Sequence, residues 1–198
     1  MQDKPRNQQR LARDLADLVD VLSTKENVLG FIEGFWKTIA REWANIDALR
    51  MDKYLYLVRC YIGKGFEECA KKGWDEDEFL DEYLSVLADT SLSVRDTKVP
   101  NGLRFHVIDI YADELEKADD MKKIPLNKVL TPLRKLGKET ITKTVRTRVQ
   151  EALNDERLMV ETITQENGNP GNDGTNALEG QAAESLEDSN TEFSGFKN

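Results

Sequence analysis

Residues 28–44 read VLGFIEGFWKTIAREWA. Wound at 100° per residue, Val28, Leu29, Ile32, Phe35, Trp36, Ile39 and Trp43 fall within about a third of the circumference, the signature of an amphipathic helix with a broad apolar face. Gly30 and Gly34 lie on the far side. Their GxxxG spacing is no membrane signal, because Glu33, Lys37 and Arg41 share the segment.

The same period runs outward in both directions. Before it, Leu11, Leu15, Leu18 and Leu22 are spaced 4, 3 and 4 within residues 5–22, with Arg6, Arg10 and Arg13 opposite and Pro5 suited to a first turn. Residues 23–27 (STKEN) supply a break and an N-cap. After it, residues 47–70 form a long helix with Leu49, Leu57, Val58, Tyr61, Ile62 and Phe66 inward. Gly63 and Gly65 weaken that helix, and Gly73 closes it. Asp75 reads as the cap of a helix over 76–89, whose stripe is Phe79, Leu80, Tyr83, Leu84 and Leu87. Residues 90–101 form the longest internal loop. A helix over 102–118 packs through Leu103, Val107, Ile110, Tyr111 and Leu115. Two basic helical segments follow, 125–138 and 140–154. Pro132 kinks the first or delays its start, and Ile141, Val145, Val149 and Leu153 line the second.

No segment alternates like a strand, so the expected fold is all-α. Seven helices of 12–24 residues with short connections imply antiparallel hairpins, closed into a bundle or stacked as an α-solenoid. From about residue 164 the chain has too few large apolar groups to offset its ordering entropy. The expected organisation is a helical domain over 1–160 and a disordered acidic tail over 161–198. In the tail, Phe193 and Phe196 are two aromatics on a loose end.

Composition restricts the chemistry. No apolar run approaches the roughly 18 residues that span a bilayer, and MQDKPRNQQR does not read as a secretory signal. His106, the only histidine, sits beside Phe105 and Val107 and reads as a packing residue. Cys60 and Cys69 share one helix and fit free thiols. No Walker loop, nucleophile elbow or HExxH motif is present. No catalytic residue, metal, cofactor or small-molecule substrate is expected.

The net charge of −9 is unevenly distributed. Residues 161–198 hold eight acids and one base, Lys197. Residues 67–96 hold ten acids against Lys71, Lys72 and Arg95. Residues 121–150 hold nine bases against Glu139 alone. That basic segment reads from its charge first as a solvated helix face balanced by the acidic one, with a surface facing a polyanion as the alternative. Trp36 and Trp43 lie on an apolar stripe and read as core anchors rather than base-stacking platforms. Arg41, Glu42, Asp47, Arg50, Asp52 and Lys53 alternate in sign around a helix junction, where opposite charges can pair across the hairpin.

Residues 35–59, FWKTIAREWANIDALRMDKYLYLVR, resemble the nucleolar ribosomal RNA processing protein 1 family of Nop/RRP type. The matching motif residues are Phe35, Trp36, Arg41, Glu42, Trp43, Ile46, Asp47, Arg50, Asp52, Lys53 and Tyr54. QDKP at 2–5 and PNGLRFHVIDIYADEL at 100–115 are similar to two flanking blocks of that family. The resemblance implies a helical, HEAT/armadillo-like solenoid, a nuclear and nucleolar location, and no enzymatic activity. It further implies association with pre-ribosomal particle proteins in maturation of ribosomal RNA, mainly on the large-subunit branch. The motif residues are architectural in this reading. The basic segment then gains a partner in the ribosomal RNA precursor, with Lys128, Arg134, Lys135, Lys138, Lys143 and Arg146 as phosphate contacts. The rival is a helical peptide-binding adaptor with no RNA role. Family members carry helical sequence before the QDKP block, so the first helix is expected to expose part of its leucine face.

Overall fold

Thr24 opens the helix that carries the decisive stripe: its Oγ accepts the Asn27 N–H at 3.3 Å. In a computed structural model describing residues 5–74 and 78–159, this helix, α2, spans Lys25–Glu42. Val28, Leu29, Ile32, Trp36 and Ile39 are buried, Phe35 lies flat on Tyr61 at 3.6 Å, and Trp43 is half-buried in a 3-10 turn that closes the element. The periodicity therefore located both the helix and its inner face. Asp75, residues 2–4 and the whole chain from residue 160, with Phe193 and Phe196, lie outside the described residues.

The other helices are α1 (Pro5–Ala16), α3 (Met51–Lys71), α4 (Phe79–Asp89), α5 (Asn101–Ala118), α6 (Leu126–Val129), α7 (Thr131–Glu139) and α8 (Lys143–Leu153). No strand occurs among the described residues. The fold is all-α. Gly73, at φ +66°, ends α3 as expected, and Trp74 follows at φ +67° with its N–H on the Cys69 carbonyl. Trp74 is itself buried, and its indole N–H donates to Asp119 at 3.0 Å.

Packing sorts the helices into two layers: α1, α3, α5 and α8 neighbour one another in that order, and α2, α4 and α7 form the second series. Side-chain pairings give the directions. Arg13 meets Tyr56, Tyr61 reaches Leu15, and Lys64 reaches Asp17 and Asp20, so α1 and α3 run parallel. His106 meets Leu55 and Arg59 meets Asp113 and Glu114, so α3 and α5 also run parallel. Asp109 meets Arg148 and Asp113 meets Arg157, which continues the direction from α5 into α8 and the turn after it. Parallel neighbours in one layer, with return helices in the other, are the arrangement of stacked helical hairpins. α5 sits in the middle and is buried on several sides, through Leu103, Val107, Ile108, Ile110, Tyr111 and Leu115.

Three expectations need correction. The first helix ends at Ala16 and tightens into a 3-10 turn over Asp17–Val21. Its buried face is Ala12, Ala16 and Val19, because small side chains let α1 approach α3. Leu11, Leu15 and Leu18 remain 53, 37 and 44% exposed, which is the uncovered leucine face the resemblance implied. Leu49 is 92% exposed, since α3 begins at Met51. Residue 49 lies in a turn where the Asp47 carboxylate accepts the Leu49 and Arg50 N–H groups. Ile141 is 91% exposed because it sits in the connection before α8, outside the helix that carries Val145 and Val149. Segment 125–138 is two elements, with Pro132 in the first turn of α7, which is the delayed start expected of that proline.

Gly65 is a contact point more than a weak point. A Cβ there would run into the Tyr83 ring, whereas one at Gly30 would meet nothing within 4 Å. Gly65→Ala should therefore destabilise the fold by about 1–3 kcal/mol through overpacking. Gly30→Ala should be neutral or stabilising by up to about 1 kcal/mol. Urea denaturation of both variants checks the contrast; equal effects would contradict it.

Candidate nucleic-acid interface

The basic segment folds into the α6–α7–α8 end of the array. Leu133, Leu136 and Gly137 turn α7 inward, and a Cβ on Gly137 would lie 2.8 Å from Val149, so α7 and α8 pack closely. That phase leaves Arg134, Lys135 and Lys138 on the water side. Val145 and Val149 fix α8 in the same way, leaving Lys143 and Arg146 exposed. Five of the six candidate residues thus lie exposed on two adjoining helices. The Arg134 guanidinium donates to the Asn127 carbonyl at 3.1 Å, and Arg146 donates to the Thr140 carbonyl at 2.7 Å, tying the α7–α8 turn. Among the described residues, none of these five forms an ion pair with a carboxylate.

Lys128 differs. It is half-buried and pairs with Asp81 of α4 at 3.1 Å. Arg148, next to the group in sequence, is engaged by Asp109 at 2.9 Å. Burial raises the Asp109 carboxyl above its ordinary value, against the opposing pull of Arg148. The acidic segment therefore balances part of the basic one and leaves a core of five cations facing solvent. Lys25 on α2 is matched to Glu82 of α4 at 2.7 Å in the same fashion.

Sequence reasoning missed Arg104. It occupies a buried position on α5, and its guanidinium gathers the loop before that helix. Nη1 donates to the Val99 carbonyl at 2.5 Å and to Asn101 Oδ1 at 3.1 Å. Nη2 donates to the Ser93 and Asp96 carbonyls, both at 2.7 Å. Burial holds this guanidinium below its ordinary pKa, with Asp96 opposing. The signal was a lone arginine one position after Leu103 on an otherwise apolar helix face, within the quoted PNGLRF block.

Other titratable groups resolve into structure. His106 is half-buried, and Nε2 donates to the Leu55 carbonyl at 2.9 Å; burial lowers its pKa. Asp20, Glu67 and Glu68 converge closely enough to hold a cation, but the Lys64 and Lys71 ammonium groups already sit among them. Lys64 and Lys71 hold the Asp20 carboxyl below the usual carboxylate range. A groove of about 700 Å³ runs between α1 and the start of α3, lined by Leu11, Leu15, Tyr54 and Leu57 with Arg10 and Arg50 at its rim.

The chain matches, over residues 1–195, the family described as "Nucleolar protein, Nop52". It belongs to the Nop52 family. It is 36% identical over 172 residues to the human ribosomal RNA processing protein 1 homolog B, covering 84% of this chain and 22% of that protein. It is 32% identical over 154 residues to the Caenorhabditis elegans ribosomal RNA processing protein 1 homolog, covering 77% and 38%. With the mouse homolog A the identity is 38% over 117 residues, covering 59% and 23%. The chain thus spans about a fifth to two fifths of the length of these relatives.

The motif residues lie along α2 and around its junction with α3. Trp36 is fully buried, and Trp43 touches the start of α5, its Nε1 lying 3.1 Å from where a Gly102 Cβ would be. Of the alternating charges, Arg41 pairs with its neighbour Glu42 at 2.7 Å and Asp47 pairs with Arg50 at 3.3 Å, both local to the junction. Glu42 also accepts the Asn45 side-chain amide. These pairs are exposed, so each contributes little stability, and their role is to shape the turn. Asp52 is exposed and Lys53 half-buried in the first turn of α3.

Proposed function

We propose that this chain is a non-catalytic assembly factor in ribosomal RNA processing. It works in the nucleolus within pre-ribosomal particles of the large-subunit branch and contacts the RNA precursor through Arg134, Lys135, Lys138, Lys143 and Arg146, with Lys128 at the margin. Family membership and the names of its relatives support the process. The observation that carries the contact is the group of five exposed cations, without carboxylate partners among the described residues, on α7 and α8. The action is positional: a stiff helical surface holds RNA phosphates and neighbouring proteins in register while other factors cut.

If about four phosphates are neutralised, the log–log salt slope of RNA binding should be roughly −3, a loss on the order of fiftyfold for a fourfold rise in salt. Lys135→Glu combined with Lys138→Glu should flatten the slope by about 1.5 and weaken binding on the order of tenfold or more. Fluorescence anisotropy with labelled RNA at several salt concentrations measures both. A slope near zero, or an unaffected double variant, removes RNA contact from the account.

The groove beside Leu11 and Leu15 favours a second reading, a peptide-binding adaptor that seats an apolar helix face. Recovery of the chain from cells with and without nuclease separates the two. Loss of associated pre-ribosomal proteins on nuclease treatment supports the first reading, and their full retention the second.

A further inference from the structure

Because α3, α5 and α8 run parallel, the connections leading into them share one edge of the array. Arg148 is five residues into α8 and meets Asp109, eight residues into α5, so the two helix starts are offset by about 5 Å along their axes. The connection before α5 carries Arg95, Asp96, Thr97 and Lys98, all exposed, and it leads into α5 at the same edge at which Lys143 opens α8. Among the described residues neither Arg95 nor Lys98 has an ion-pair partner: the Asp96 carboxylate is turned back to accept the Lys98 backbone N–H at 2.8 Å.

This loop is held from beneath. The carbonyls of Ser93, Asp96 and Val99 point inward onto the Arg104 guanidinium, and the Ser93 hydroxyl accepts the Asp96 N–H at 3.1 Å. Val94 and Val99 pack against the core on either side. With its carbonyls fixed inward, the segment presents Arg95 and Lys98 outward in one conformation. A loop ordered before binding loses less entropy when it meets a ligand.

We propose that the Arg95–Lys98 loop is a second RNA-backbone contact, continuous with the α7–α8 cations along the shared edge, and that Arg104 is the residue that positions it. This inference rests on the RNA reading of α7 and α8 and extends it to a further element. The expected chemistry is phosphate recognition, since the loop offers two cations and the Thr97 hydroxyl.

The test uses the full chain and a fluorescently labelled RNA stem-loop of roughly two helical turns. Arg95→Glu with Lys98→Glu should leave the melting temperature unchanged, flatten the salt slope by about 1.5, and weaken binding on the order of tenfold. Lys135→Glu with Lys138→Glu, run alongside, keeps the two ideas apart. If only the α7–α8 variant weakens binding, the loop contact is overturned and the function stands. If the unmodified chain binds no RNA, both fall. If both variants weaken binding and the loop variant melts normally, the loop contact holds.

Discussion

Arg104→Met should cost the fold about 2–4 kcal/mol. Methionine keeps the apolar stem but removes every donor, so the Ser93, Asp96 and Val99 carbonyls lose their shared partner beneath the loop. A buried acceptor left unpaired costs about 1–3 kcal/mol, and removing the buried charge returns part of that sum. The first effect wins, because three acceptors are stranded while the guanidinium they served has no carboxylate partner whose loss would matter. Arg104→Lys should fall between the two, since an ammonium cannot reproduce the planar fork. Urea denaturation reads the stability, and amide exchange at residues 95–98 reads the loop. A cost below about 1 kcal/mol would mean the loop holds its shape without the clamp.

Trp36→Ala should be the most damaging single change in the decisive stripe, at about 3–5 kcal/mol. The indole is fully buried at the meeting of the two layers, edge-on to Phe35, which in turn stacks on Tyr61. Among the described residues its Nε1 has no hydrogen-bond partner, so packing accounts for its contribution. Trp36→Phe should therefore retain most of the stability, at about 1–2 kcal/mol lost. Trp74 provides the contrast, because its indole N–H is committed to Asp119. Chemical denaturation of the two Trp36 variants checks the ranking; a phenylalanine variant as unstable as the alanine one would contradict it.

The parts of the fold that were legible in the sequence are those where one helix face decides the position. The period alone points Val28, Leu29, Ile32, Trp36 and Ile39 inward, with Phe79, Leu80, Tyr83, Leu84, Leu87, Leu103, Val107, Ile110, Tyr111 and Leu115, and all are buried; Phe35, on the same stripe, is half-buried. The failures sit where the chain leaves a helix. Leu49 and Ile141 continue an apolar period on paper, but backbone capping by Asp47 and the start of α8 at Lys143 place them in turns. In α1 the leucines outweigh the alanines on any hydropathy scale, yet alanine is what a close helix crossing needs, and no single-helix pattern reveals how near the neighbour will come.

The candidate interface was legible as a charge run and not as a geometry. Nothing in residues 121–150 distinguishes Lys128, which α4 claims through Asp81, from Lys135 or Lys138, which no carboxylate among the described residues claims. That distinction is tertiary. Arg104 was hidden for the opposite reason: all but one of its partners are backbone carbonyls, which leave no trace in side-chain composition.

The layered arrangement has a consequence for how disturbance travels. Within a layer each helix rests chiefly on the next, so a load applied to α8 reaches α1 by way of α5 and α3, or through α7, α4 and α2 in the other layer. In such linear arrays interaction energies act between nearest neighbours. A particle gripping the α7–α8 end would therefore leave the leucine-bearing end free to respond to other contacts, much as one end of a leaf spring flexes while the other is clamped.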